Sequence, residues 1–307
     1  MAYQTGTVSD LPSLVTVVNT FSQSNGWTLL GGVLNKDNVQ IELGHDGTNF
    51  YGMIGRGAAS ASLTNAGNTN IDVCNSPGFY ILKNRNSQTM EFPITYHLIA
   101  LENPANIFLV VNYNVVHCQH MAFGNIEKYG TWDGGEFISA TVASTDPRQN
   151  ELKEHCFADS TTVQGTGAFL FVNESSWYGQ AKDHRPSCLL YTDLDGHGWI
   201  NTNQSSQYQT NEDELGYFNA ANMSRPHLTH LNTVNLQPAM YPPVILKHRP
   251  GYVQKTPMGL VPHVRYLRVD YYEPGDIVAV GDQKWIVFPH TSVAHSNSGW
   301  AIKYDGP

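Results

Sequence analysis

Short apolar runs separated by turn-forming residues extend along most of this chain, and this pattern restricts it to a mainly β fold. The runs are rich in Val, Ile, Phe and Tyr, and clusters of Gly, Asn, Asp and Pro separate them. Each run is long enough for a strand and too short for a helix of ordinary length. Seven predicted strands of this kind occupy residues 39–43, 50–54, 79–82, 94–99, 107–116, 137–142 and 168–172.

One segment near the start departs from the pattern and predicts a helix. Ser9 and Asp10 are good N-cap residues, Pro12 suits a first helical turn, and Asn25-Gly26 ends the segment. The apolar residues between them recur at helical spacing: Leu11, Leu14, Val15, Val18 and Phe21. So short a helix is not stable alone, so we expect it to pack on the rest of the protein.

Turn signals predict two hairpins. Residues 95–99 run into Glu102-Asn103-Pro104 before the next apolar run, and Gly281-Asp282 separates residues 277–280 from 284–288. The alternation over residues 264–272 predicts one two-faced strand, and residues 299–304 predict a last strand.

These elements predict an α+β, mainly β fold in three regions. Residues 1–145 form an N-terminal domain in which a short helix packs on antiparallel sheets. Residues 146–237, where the periodic pattern fades, form a loop-rich insertion or assembly region. Residues 238–307 form a C-terminal β-hairpin region packed on the first domain.

A scarcity of charge narrows the class of protein further. Charged residues make up 14% of the chain against about 25% in ordinary globular proteins, while the chain holds 26 Asn and 27 Gly. The apolar content of 41% argues against disorder, and the net charge of −9 without a basic cluster argues against nucleic-acid binding. No apolar run is long enough to insert into a membrane, and no signal peptide is visible. The four cysteines are widely spaced, which favours buried thiols in a chain folded in the cytoplasm, and a disulfide pair is the alternative.

Two segments have residues that could bind a metal ion. Asp193 and Asp195 take positions 1 and 3 of an EF-hand-like loop with Gly198 at position 6, which makes them calcium candidates. His197 at position 5 and Gln204 at position 12 depart from that pattern, and a Gly-rich turn is the alternative.

In the second segment, residues 117–120, only Cys118 and His120 would share a strand face. A zinc site would also need two more ligands, for which His155 and Cys156 are the candidates, and the alternative is that the histidines lie in a β-core or at a subunit contact.

Signatures of catalysis are missing from the sequence. It contains no G-x-S-x-G, H-E-x-x-H, phosphate-binding loop or dinucleotide fingerprint, so we predict no enzymatic activity and no cofactor. Carboxylates such as Asp133 and Glu136 leave a hydrolase as a rival interpretation.

Three tryptophans lie in turn-rich sequence: Trp132, Trp177 and Trp199. They are candidates for interface or glycan contacts, and the alternative is that they anchor their loops in the core.

Both ends of the chain, and one middle strand, resemble virion structural proteins of tailed bacteriophages. The segments that carry the resemblance are residues 6–11, 18–21, 25–28, 108–114, 264–270, 273–276, 285–289 and 299–306. They include Asn25-Gly26-Trp27-Thr28 near the start, and they contain no catalytic motif.

The resemblance implies a structural role in the tail, baseplate or neck of a virion, with manufacture in the host cytoplasm. It implies a homo-oligomer arranged around the particle axis, with other virion proteins as partners. A receptor- or glycan-binding tail component is the alternative.

Overall fold

The structure is a computed structural model, and one α-helix and 26 β-strands are assigned within the part of the chain it describes. The mainly β, α+β fold predicted from the sequence is therefore confirmed. The described residues are 1–63, 71–73, 79–85, 88–114, 117–143, 168–169, 172–173, 188–194, 198–201, 218–220, 239–248, 255–269, 271–289 and 298–306.

The elements are numbered along the chain. Those of the first half are β1 (Ala2–Val8), α1 (Leu11–Ser24), β2 (Thr28–Leu30), β3 (Val33–Lys36), β4 (Val39–His45), β5 (Asn49–Gly57), β6 (Ile71–Val73), β7 (Phe79–Leu82), β8 (Asn84–Arg85), β9 (Gln88–Thr89), β10 (Ile94–Glu102), β11 (Ala105–Tyr113), β12 (His117–Asn125), β13 (Glu127–Lys128), β14 (Gly134–Ala140) and β15 (Val142–Ala143). Those of the second half are β16 (Ala168–Phe169), β17 (Val172–Asn173), β18 (Cys188–Thr192), β19 (Gly198–Asn201), β20 (Phe218–Ala220), β21 (Val244–His248), β22 (Lys255–Leu260), β23 (Val264–Arg268), β24 (Ile277–Val280), β25 (Gln283–Pro289) and β26 (Ser298–Tyr304).

A seven-stranded antiparallel sheet, here called the central sheet, forms the middle layer in the order β1-β10-β11-β12-β14-β18-β19. Both of its faces are buried. In β11, Ile107, Leu109 and Val111 belong to one core, whereas Phe108 and Val110 belong to another. Since no side of β11 meets water, its sequence is a continuous apolar run without polar alternation.

The first face of the central sheet is covered by α1 and by the helix-side sheet, which has the order β15-β7-β5-β4-β3-β2 with β6 paired to β5. Asp10 caps α1 by accepting a hydrogen bond from the Ser13 main-chain N–H at 2.7 Å, and hydrogen bonds from Ser13 lower the pKa of its carboxyl. Leu14 and Val18 are fully buried on the inner side of the helix. The helix predicted from Asp10 to Asn25 is confirmed. Within the described residues, no helix is both long enough and apolar enough to cross a membrane.

The second face is covered by two four-stranded sheets. The C-terminal sheet has the order β23-β26-β25-β24, and the lateral sheet has the order β13-β22-β21-β20. Tyr266, Phe288 and Trp300 of the C-terminal sheet share a core with Phe108 and Ile99 of the central sheet. The C-terminal sheet is therefore packed on the N-terminal strands. Two further pairs, β8-β9 and β16-β17, complete the strands.

Two central strands pass directly into the covering layers. β12 ends at Asn125 and continues into β13 of the lateral sheet through Ile126, whose N–H donates to Gly135 O at 2.9 Å. β14 continues into β15 of the helix-side sheet through Thr141. The Thr141 N–H donates to His120 O at 2.9 Å, and its hydroxyl accepts from the His120 N–H at 2.6 Å. These bonds maintain main-chain pairing where each strand changes sheets.

Both predicted hairpins are confirmed. β10 and β11 pair from Glu102 opposite Ala105, and β24 and β25 pair from Val280 opposite Gln283. The single strand predicted over residues 264–272 is wrong in its second half. β23 ends at Arg268, and the Tyr272 N–H donates to Val269 O at 2.9 Å, so the chain turns there.

Part of the predicted loop-rich middle is built into the central sheet. β18 pairs with β14, and β19 extends the sheet by one more strand. Leu189 and Leu190 of β18 are buried on opposite faces, one in each core.

His97 of β10 is buried where the central and C-terminal sheets meet. Its Nδ1 lies 2.9 Å from the Tyr3 hydroxyl, which donates to it when the ring proton is on Nε2. Its ring meets the edge of Phe288, with a centroid separation of 5.0 Å. Burial lowers the pKa of His97 to about 4.

We expect the buried His97 to make stability depend on pH. Above pH 6.5 the ring is neutral in both the folded and unfolded chains, and the full stability is present. Between pH 6.5 and 4 only the unfolded chain binds the proton, so the free energy of unfolding falls, by about 2 kcal/mol at pH 5. Urea unfolding at pH 7 and pH 5 measures this loss.

His97→Gln should remove that part of the pH dependence, whereas the exposed control His45→Gln should leave it unchanged. An equal pH dependence in wild type and His97→Gln would contradict the assignment.

Candidate functional site

Arg56 of β5 reaches two carboxylates where the helix-side and central sheets meet. Its Nε donates to Glu136 Oε1 at 3.0 Å, and its Nη2 contacts Asp133 Oδ1. The Glu136 side chain is 3% exposed and that of Asp133 is 59% exposed. Burial by itself lowers the pKa of Arg56, but Glu136 and Asp133 outweigh it and raise the pKa. The guanidinium therefore stays charged between one buried and one accessible carboxylate.

Two glycines allow both carboxylates to face the same guanidinium. Gly134 and Gly135 have φ angles of +120° and +108°, and they separate Asp133 from Glu136. A Cβ at Gly134 would lie 2.4 Å from Tyr191 O, so only glycine fits against β18. The pairing of β14 with β18 shifts register between Gly134 and Phe137, which re-aims Glu136 toward Arg56.

Asp193, which follows β18, binds the main chain of Asp133 through two hydrogen bonds. Asp193 Oδ1 accepts from the Asp133 N–H at 3.0 Å, and the Asp193 N–H donates to Asp133 O at 3.0 Å. The Arg56 guanidinium lies over the Tyr191 ring at 4.4 Å from its centroid, and Trp199 meets that ring edge-on at 5.4 Å. These contacts form one group, here called the arginine cluster: Arg56, Asp133, Glu136, Tyr191, Asp193 and Trp199.

A buried lysine holds the same loop from the lateral sheet. Lys247 of β21 is almost fully buried, and its Nζ donates to Leu194 O at 2.7 Å. Leu194 itself packs against the second core. Asp193 and Leu194 are thus fixed between the arginine cluster and the lateral sheet.

The cluster has one polar atom that its own contacts leave unsatisfied. Glu136 Oε2 is buried and makes no hydrogen bond within the described structure. Among the described residues, Arg56 is the salt-bridge partner of the buried Glu136 carboxylate.

The calcium prediction stays untested. The Asp193 carboxylate is used in binding the Asp133 main chain, and Asp195 lies outside the described residues. Among the side chains that the structure describes, no group of three or more His, Cys, Asp or Glu is placed to hold a metal ion.

The segment 117–120 lies on β12, and Cys118 and His120 share its second face as predicted. His120 is a core histidine, with Nε2 2.9 Å from Pro289 O of the C-terminal sheet. Burial raises the pKa of the Cys118 thiol. His117 instead stacks on Tyr113. His155 and Cys156, the other ligands that a zinc site would need, lie outside the described residues.

The candidate tryptophans occupy different environments. Trp132 is 9% exposed and belongs to the second core, and Lys128 lies over its ring at 5.3 Å and donates to its carbonyl at 2.9 Å. It anchors its loop. Trp199 is partly buried against the first core, and Trp177 lies outside the described residues.

The structure brings Asp133 and Glu136 together with Asp193 and Trp199, and 60 residues separate Asp133 from Asp193. Sequence reasoning missed Arg56 and Tyr191. The available signal was Arg56 itself, a lone charge in the strand Asn49–Gly57, because a buried arginine requires a partner.

No protein-family model matches this chain, and no curated protein matches it significantly in sequence. The function must therefore be inferred from the residues and from their geometry.

We expect loss of Arg56 to destabilise the protein strongly. Arg56→Met leaves Glu136 buried without its counter-charge, so the free energy of unfolding should fall by about 3 kcal/mol. Adding Glu136→Gln removes the uncompensated charge and should restore most of that loss. Denaturant unfolding of the three proteins measures both effects.

Lys303→Met provides the control, because Lys303 and Asp305 form an exposed pair at 3.9 Å. It should change stability by less than about 0.5 kcal/mol. A double variant as unstable as Arg56→Met would refute the charge explanation.

Proposed function

We propose that this protein is a structural subunit of a tailed-bacteriophage virion. It assembles with copies of itself and with neighbouring tail, baseplate or neck proteins, and its role is assembly rather than chemistry. The resemblance of both chain ends and of one middle strand to such proteins supports this proposal. The mainly β fold agrees with it.

The observation that carries the proposal is a set of three exposed apolar side chains on or next to one edge strand, here called the β24 patch: Tyr271, Ile277 and Val280. These side chains are 68%, 45% and 39% exposed. β24 is the edge strand of the C-terminal sheet, and Tyr271 lies in the loop that leads into it. Apolar side chains on an edge strand favour contact with another protein surface.

Low charge supports the same role. Neutral polar and apolar contacts depend little on salt, whereas exposed ion pairs are screened and contribute little. Symmetric repetition adds many modest contacts into a stable particle.

We expect Ile277→Asp with Val280→Asp to reduce incorporation into particles at least about tenfold, because carboxylates would have to be desolvated in the contact. Mass spectrometry of purified virions measures the incorporated amount. Leu30→Asp is the matched control, since Leu30 is equally exposed on an edge strand of the helix-side sheet. Absence of the wild-type protein from purified virions would refute the proposal.

A second candidate function is glycan binding by a tail component. Trp199 and Tyr191 are only partly buried, and they adjoin the accessible carboxylate of Asp133 through Arg56. Aromatic rings beside polar groups suit sugar binding.

If this second function holds, Trp199→Ala should abolish binding of host surface polysaccharide in a pull-down or calorimetric titration. Tyr129→Ala removes an exposed aromatic ring elsewhere and should have no effect. Failure of the wild-type protein to bind any host polysaccharide would exclude the function.

A further inference from the structure

β1 forms one edge of the central sheet and has a long, regular open side. All seven of its residues pair one to one with β10, from Ala2 opposite Ala100 to Val8 opposite Ile94. In an antiparallel pair, alternate residues direct their main-chain N–H and C=O groups away from the partner. In the described structure, the main-chain groups of β1 bond to no segment besides β10. Within the part of the chain that the structure describes, no strand therefore occupies the outer groups of β1.

This edge lacks the features that normally prevent edge pairing. The sequence Ala-Tyr-Gln-Thr-Gly-Thr-Val has no charged residue and no proline, and its pairing with β10 contains no bulge. Gln4, Thr5 and Thr7 are exposed. Two of these are threonines, which favour strands.

The helix that packs beside β1 is also free of charge. Asp10 is the one charged residue among the first 35, and α1, which packs next to β1, has none. On the exposed side of α1, Thr16, Thr20 and Ser24 donate their hydroxyls to carbonyl oxygens four residues earlier, at 2.8–3.0 Å. Depletion of charge marks the buried core of protein interfaces.

We infer that a second copy of this chain binds at this edge through its own β1, antiparallel and across a two-fold axis at Thr5. In that register, Ala2 faces Val8, Tyr3 faces Thr7 and Gln4 faces Gly6 of the other copy. Thr5 faces its own counterpart. This inference rests on the self-assembly in the proposed function, and it names the surface and the partner.

The strand sequence fits this pairing. Aromatic residues opposite β-branched ones, and threonines opposite each other, are favourable cross-strand pairs. No like charges meet, because β1 carries none. An isologous contact uses the same patch on both copies, and the central sheet would continue from seven strands to fourteen.

A charge at the two-fold axis tests the contact. Thr5→Lys places two ammonium groups opposite each other and Thr5→Glu two carboxylates, so each variant should dimerise at least about tenfold more weakly than wild type. An equimolar mixture of the two should recover a heterodimer. Sedimentation equilibrium of the full chain measures these associations. Thr28→Lys, at an exposed position on the edge strand β2, is the matched control and should dimerise like wild type.

Cysteine cross-linking gives a second readout that does not depend on charge. Thr5→Cys should form an intermolecular disulfide with itself under mild oxidation, whereas Thr28→Cys should not. The described native thiols, Cys118 and Cys188, are buried and do not interfere. Cysteine is close in size to threonine, so this variant remains informative if Thr5→Lys fails to fold.

The outcomes separate this inference from the proposed function. A wild-type dimer that is unchanged by Thr5→Lys and gives no cross-link would overturn the β1 contact while leaving self-assembly intact. A wild-type monomer at all concentrations would overturn the β1 contact, and the virion assay would decide the function independently. Protection of β1 amides from exchange only after addition of another virion protein would assign the edge to that protein and overturn pairing between copies.

Discussion

Burial of both faces of the central sheet is the constraint on which the rest of the structure depends. β11 directs Ile107, Leu109 and Val111 to one side and Phe108 and Val110 to the other. A sheet that is apolar on both sides must be covered twice, so α1 with the helix-side sheet and the C-terminal sheet with the lateral sheet are all required. β12 and β14 continue directly into two of these layers, at Ile126 and Thr141. These two residues therefore determine where the lateral sheet and the helix-side sheet begin to cover the central sheet.

The arginine cluster is the polar exception at one of these layer boundaries. Arg56 from the helix-side sheet, Glu136 from the central sheet and Asp193 from the loop after β18 meet there. A buried ion pair stabilises little relative to apolar packing, but breaking it is costly. Its structural effect is to fix how the layers sit on each other, since Arg56 and Glu136 belong to different layers.

The sequence predicts elements whose signals are local, and it misses those that depend on contacts between layers. The cap at Asp10, the apolar spacing of α1 and the turns at Asn103-Pro104 and Gly281-Asp282 are local, and each was found. β1 was missed because an edge strand with one buried side chain has a weak pattern. The contacts of Arg56 with Asp133 and Glu136 could not be predicted, because 77 and 80 residues separate Arg56 from these two carboxylates. The contacts also depend on a register shift of β14 at two glycines.

The β1 edge and the β24 patch, the two surfaces proposed for assembly, differ in the side chains that they present. The β1 edge is neutral and polar, so it suits main-chain pairing, whereas the β24 patch presents apolar side chains. A two-fold contact at β1 closes on itself after two copies and builds no larger ring alone. A subunit of the proposed particle therefore needs a second, different surface, and the β24 patch is the candidate for it. A heterologous contact there, combined with the isologous contact proposed at β1, would generate a closed assembly with dihedral symmetry.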